Sequence, residues 1–176
     1  MTELHHITGL SKSSLQRILS TLVFEGFLQK NEETKKYQLG LELLFLGKLV
    51  EMNSNLLSIA QPIMEEIRYK TGESVSLSVI ENQKRKCIGN LKCEFELQTK
   101  TFVGQESPLY AGASAKVLLA YFSEQQLEQF LQENELTALT ENTITSKETL
   151  KQELKRIREQ GYAISCGERL KGTFSI

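Results

Sequence analysis

The sequence predicts an α+β chain: an N-terminal winged helix-turn-helix, a helical linker, and an antiparallel sheet with flanking helices. Three observations carry that prediction. Leu15, Ile18, Leu19, Leu22 and Val23 recur at i, i+3, i+4, i+7 and i+8, directly ahead of two short strand-like segments. Leu41 to Ala60 is leucine-rich on more than one helical face. From Val75 onward, three β-branched or apolar segments bounded by turns precede a series of capped helical patterns.

Thr2 to Thr8 reads as a short helix with Leu4 and Ile7 inward, and Gly9 permits a positive-φ connection to the next helix. That second helix carries the apolar stripe on one face. Its other face holds Lys12, Ser13, Gln16, Arg17, Ser20 and Thr21, beside Ser14. Between Ser11 and Phe24 there are two cations and no acid, so nothing there repels a phosphate. Long cations neutralise phosphates, and Ser, Gln and Arg reach base edges or backbone oxygens from a helix in the major groove. An amphipathic helical pair with a solvated polar face has the same pattern up to this point. Gly26, the strand-like Phe27 to Lys30 and Tyr37 to Leu39, and the polar turn Asn31 to Lys36 distinguish the two by adding a wing, with Lys30, Lys35 and Lys36 on or beside it.

Leu41 to Ala60 is too apolar to be a simple solvated linker, so it packs on a partner copy or on its own chain. Gln61-Pro62 then reads as the opening of a helix that stops at Thr71-Gly72. Val75 to Ile80, Lys86 to Leu91 and Glu96 to Val103 are the strand candidates. Small residues from Ala111 to Ala115 precede a helix reaching about Phe122, leaving first-turn amides of Ala113 and Ser114 open to an anion, or simply letting the helix pack closely on the sheet. Ser123 caps a helix from Glu124 to about Glu133. Ser146 caps another from Lys147 to Gln160, with Leu150, Leu154 and Ile157 on one face and Gly161 at its end. Tyr162 to Ser165 reads as a strand.

Composition excludes several classes. Apolar content of 40% and charged content of 24% over 176 residues suit a soluble globular chain, and 21 basic against 22 acidic residues argue against indiscriminate polyanion binding. Cys87, Cys93 and Cys166 are odd in number and lack zinc-site spacing; with no signal segment and no run able to span a bilayer, they point to the cytoplasm. His5 and His6 are the only histidines and lie in the helix-turn-helix, so an enzyme would lack an acid–base pair, and no phosphate loop or metal motif is present. A redox pair of Cys87 and Cys93 is the remaining route to a small thiol enzyme; free thiols buried in strands are the other reading. No cofactor or metal is expected.

Thr8-Gly9-Leu10-Ser11-Lys12-Ser13-Ser14-Leu15-Gln16-Arg17-Ile18-Leu19, Glu25-Gly26-Phe27-Leu28 and Tyr37-Gln38-Leu39-Gly40 resemble the DNA-binding domain of the IclR family of bacterial transcriptional regulators. Ser107 to Ala120 is similar to that family's effector domain, as is the spacing of Gly161, Ser165, Glu168 and Ser175-Ile176. The resemblance implies three parts: a DNA-binding domain over residues 1–40, a linker and dimerisation helix over 41–60, and a GAF/PAS-like effector domain over 61–176. It implies DNA contacts from Lys12, Ser13, Ser14, Gln16, Arg17 and Lys35, and an effector site at Ala113, Ser114, Ser165 and Ser175. The implied partners are double-stranded operator DNA, a small organic acid, and further copies in a homodimer or tetramer, with no membrane. Ala115 stands where relatives commonly have Gly, and Ser165 where many have Asp. The family's usual first DNA-domain helix has no counterpart, and the sequence stops inside an expected central strand, which suggests a fragment or shortened reading frame. As a whole protein, it would leave a sheet edge and apolar faces uncovered, predicting poor stability. A sensor that no longer binds DNA is the remaining alternative.

Overall fold

The computed structural model describes residues 2–93 and 101–176, and the chain divides into two compact units, residues 1–58 and 59–176. The first unit contains α1 (Thr2–Thr8), α2 (Lys12–Phe24), β1 (Leu28–Lys30), β2 (Tyr37–Leu39) and α3 (Glu42–Asn53). Gly9 at φ +69° makes the turn between α1 and α2. Ser11 caps α2, its Oγ accepting the Ser14 N–H at 3.1 Å.

Leu15 and Leu19 are buried, whereas Ile18 is 46% exposed, so the covered stripe is narrower than its periodicity predicts. Leu4 is half-buried, but Ile7 is 75% exposed and does not turn inward as expected. It sits one residue from the end of a two-turn helix. In the wing, β1 and β2 pair antiparallel with Leu28 opposite Leu39 and Lys30 opposite Tyr37. Asn31 Oδ1 accepts the N–H groups of Glu33 (3.0 Å) and Thr34 (2.7 Å), which shapes the turn between them. The wing closes where the Gly40 N–H meets Phe27 O at 2.8 Å; a Cβ on Gly40 would lie 1.9 Å from Gly26 O, so only glycine fits there.

The expected single helix over Leu41 to Ala60 is two helices. Ser54, at φ −84° and ψ 106°, leaves helical geometry, and its Oγ accepts the Leu57 N–H at 3.3 Å, starting α4 (Asn55–Thr71). Pro62 therefore lies inside α4 and not in a first turn. A serine able to cap sets the start; the proline merely omits one internal donor.

The second unit holds a three-stranded antiparallel sheet of order β3 (Val75–Glu81), β4 (Lys84–Leu91), β5 (Glu106–Pro108). Asn82 (φ +51°) and Gln83 (φ +57°) form the tight β3–β4 turn, matching the twist of the strands they join. Of the expected strand Glu96 to Val103, residues 96–100 lie outside the described residues and Thr101 to Val103 is irregular; β5 supplies the third strand instead. The core gathers α5 (Ala113–Ala120), α6 (Glu124–Glu133) and α7 (Lys147–Gln160), with Leu109, Leu119, Leu150, Leu154 and Ile157 fully buried. Ser123 with Gln126 forms a reciprocal cap on α6, and Ser146 and Gly161 (φ +82°) bound α7 as the sequence predicts. The expected strand Tyr162 to Ser165 begins only at its last residue: β6 (Ser165–Cys166) pairs with β7 (Phe174–Ser175).

Candidate nucleic-acid interface and ligand site

Lys12, Ser13, Ser14, Gln16 and Arg17 are all exposed on α2. Among the described residues, no carboxylate pairs with Lys12 or Arg17, so both charges remain available to phosphate. The Ser11 hydroxyl lies 2.9 Å from those of Ser13 and Ser14, and Gln16 Nε2 donates to Ser20 Oγ at 3.3 Å. These local bonds pre-orient the hydroxyl row at the positive end of the helix dipole. Ser14, Arg17, Ile18, Thr21 and Leu22 line one shallow groove along α2. Lys35 differs: it is exposed at the wing tip, but its ammonium is held by Glu32 at 2.9 Å, and Lys30 meets the same carboxylate at 3.2 Å. Those two ammoniums hold the Glu32 carboxyl below the usual range.

In the second unit, Gly112 takes φ +97° and ψ 155°, a conformation that favours glycine, and α5 starts immediately after it. Ala113 is buried, Ser114 is half-buried, and their N–H groups belong to the first turn, which a helix cannot satisfy by itself. An anion already stands at this helix start: Glu168 Oε2 accepts the Gly112 N–H at 3.0 Å. Its other oxygen takes the Lys116 ammonium at 2.7 Å. Lys116, 1% exposed, also donates to Glu153 at 3.0 Å and to Ile164 O at 3.0 Å, so three acceptors meet its three donors. Thr143 Oγ1 donates to Glu168 O at 2.6 Å and fixes the loop from beneath. Ser165 is buried and lies directly opposite the exposed Ser175, so the β6–β7 ladder brings these two predicted residues together.

The sequence reading named Glu168 only for its spacing and did not single out Lys116 or Arg85. Lys116 had a signal, since it is the one charge in the largely apolar Ala113-to-Ala120 segment and must find a partner when buried. Arg85 had a weaker one. In Lys84-Arg85-Lys86, the outer two pair with Glu106 (3.1 Å) and Glu81, while Arg85 turns inward, is 4% exposed, and donates through Nε to Ser78 Oγ at 2.9 Å. Burial and then the Arg169 guanidinium hold its pKa below the ordinary arginine value; burial does the same to Arg169. Cys87, on the same strand, is fully buried with a free thiol that burial pushes up in pKa, and its Sγ donates to Gly89 O at 3.3 Å. A thiol kept protonated in this way is a poor nucleophile, against the thiol-enzyme alternative.

A cation-bearing helix beside a short wing, and a sheet-and-helix unit whose apolar core encloses a few buried charges, fit the class of winged-helix transcriptional regulators. Family models agree over nearly the whole chain: "IclR helix-turn-helix domain" matches residues 1–32 and "Bacterial transcriptional regulator IclR C-terminal" matches residues 49–176. The chain belongs to the IclR family of bacterial transcriptional regulators. It is 32% identical over 176 residues to the HTH-type transcriptional regulator KipR of Bacillus subtilis (strain 168), covering 100% of this chain and 70% of that protein. An IclR transcriptional regulator from Alicyclobacillus acidocaldarius superposes with a TM-score of 0.87 at 29% identity, covering 97% of this chain and 69% of that one. An IclR homolog from Microbacterium hydrocarbonoxydans, solved with 4-hydroxybenzoate, has a TM-score of 0.81 at 22% identity over 97% of this chain and 70% of its own; it supports the fold. The chain spans 56–70% of the length of the curated regulators it matches, which are transcriptional regulators and not enzymes. No single helix among the described residues is long and apolar enough to cross a membrane.

Proposed function

We propose that residues 1–40 bind double-stranded operator DNA through α2, with Lys12 and Arg17 on phosphates or guanines and Ser13, Ser14 and Gln16 positioned beside them. Residues 59–176 receive a small organic acid that changes operator affinity, and the protein works in the cytoplasm. The observation that carries the DNA reading is the exposed, acid-free surface from Ser11 to Thr21, on which neither cation has a carboxylate partner among the described residues. Lys35, tied to Glu32, is a weaker contact than Lys36 beside it.

The ligand reading is supported by the half-buried first turn of α5 and the paired Ser165 and Ser175. The relative that binds 4-hydroxybenzoate makes a carboxylate the first chemistry to try. Copies join through α3: the helix has no buried residue, yet Leu44, Phe45, Leu49 and Val50 are each more than half exposed, an arrangement expected of an interface between copies. An effector acts only by binding two arrangements of such an assembly with different affinity. A mobility-shift assay on a candidate promoter at stated salt, repeated with a panel of small carboxylic acids, tests both halves. Retardation that an acid changes is expected; no retardation of any duplex contradicts the DNA reading.

A further inference from the structure

One face of the sheet in the second unit carries several buried polar atoms that lack partners among the described residues. Arg85 of β4 stands directly opposite Ser107 of β5, and the Cys87 N–H meets Gln105 O at 3.0 Å, continuing that pairing. Directly opposed residues, and residues two apart on a strand, point to the same side, so Arg85, Cys87, Gln105 and Ser107 share one face. Ser78, opposite Cys87 on β3, joins them through its bond to Arg85. Arg85, Cys87 and Ser107 are 4%, 0% and 6% exposed, which marks this face as the covered one.

On it, Arg85 Nη1, Ser107 Oγ and Gln105 Oε1 are buried with no hydrogen-bond partner among the described residues. Arg169, half-buried and next in sequence to Glu168, carries a like charge that adds to burial in lowering the Arg85 pKa. Among the described residues, neither guanidinium has a carboxylate. A buried cation with an orphaned donor, beside an orphaned hydroxyl and an orphaned carbonyl oxygen, is costly as it stands, and an anion that also carries a donor satisfies all of them.

We infer that Arg85, aided by the charge of Arg169, binds the carboxylate of a small hydroxy acid whose hydroxyl donates to Gln105 Oε1 and meets Ser107 Oγ. This rests on the acid-receptor reading of the second unit and moves the ligand's charge from the α5 amides, where Glu168 already stands, to the sheet. The guanidiniums supply charge and planar two-point geometry, and the amide oxygen selects for a hydroxyl. Arg85 is then a specificity-determining residue of the ligand site.

Isothermal titration of the 176-residue chain with sodium glycerate, sodium propionate and inorganic phosphate tests this directly. Glycerate binding is expected, with propionate about tenfold weaker for want of the hydroxyl. In Arg85→Met, glycerate affinity falls at least tenfold, while the unliganded melting temperature is not lowered, because a repelled buried cation has been removed. Arg169→Gln, at the more accessible member of the pair, lowers glycerate affinity in the same direction and serves if Arg85→Met does not fold. Undiminished glycerate binding in either folded variant overturns the assignment and leaves an acid receptor with its site elsewhere. Phosphate binding tighter than glycerate overturns the carboxylate assignment, and no heat from any of the three overturns the assignment together with the acid-receptor reading. DNA retardation by the same preparations remains a separate readout of the first unit.

Discussion

Lys116 is the residue on which the order of the second unit turns. Its ammonium has three acceptors in a site 1% exposed, and its removal leaves Glu168 with only the Gly112 N–H and Glu153 without a buried counter-charge. Lys116→Met is therefore expected to cost about 3–5 kcal/mol in urea unfolding, and Lys116→Met with Glu168→Gln to recover part of that loss, since the stranded charge goes with it. A single-variant cost within error of zero would mean the pair is solvated in solution. Cys87 makes a prediction about pH. Its folded pKa is raised by burial above the ordinary 9.0, so the folded chain holds the thiol proton more tightly than the unfolded one. That contribution is complete below pH 9.0 and is lost as pH rises through the folded pKa. Wild type should lose more stability than Cys87→Ala across that window, and iodoacetamide should label exposed Cys166 first. Equal slopes would place Cys87 in water.

Among the elements, the wing and α7 carry the sharpest expectations. Gly40→Ala forces a methyl to within 1.9 Å of Gly26 O, so either the wing shifts or the substitution costs about 1–3 kcal/mol. An unchanged melting temperature would contradict this close approach. Leu154→Ala, fully buried on α7, is expected to cost about 2–5 kcal/mol. Both elements were legible in the sequence because their signals are local: glycine where chains meet, Ser146 and Gly161 at the two ends, and leucines at helical spacing between them. The α3–α4 break was misread because Pro62 is a louder signal than Ser54, yet a proline only permits a helix start, whereas a serine side chain bonding the Leu57 N–H makes one. β5 was missed because Ser107-Pro108 has no strand propensity; it is a strand only because β4 pairs with it.

For the whole molecule, the exposed apolar surface of α3 and the cationic surface of α2 belong to one argument, since paired half-sites need paired wings. Phe45→Glu with Leu49→Glu, one turn apart and both more than half exposed, is expected to move the sedimentation coefficient toward the monomer and to weaken operator binding without unfolding the chain. Wild type sedimenting as a monomer would refute the interface. The candidate DNA site was readable from the sequence because a surface helix displays its charges in the order they are written. The polar sheet face was not, because Lys84-Arg85-Lys86 reads as a solvated run until the pairing of β4 turns its middle residue inward.

The most direct test of the central claim is the salt dependence of DNA binding, measured by fluorescence anisotropy on a duplex that the chain itself selects from a random pool. Between about 50 and 200 mM salt the wild-type affinity should fall steeply, Lys12→Ala should reduce the slope by about one, and Arg17→Ala should weaken binding at least tenfold while leaving acid binding intact. If both variants match wild type in affinity and slope, the acid-free face of α2 does not meet DNA.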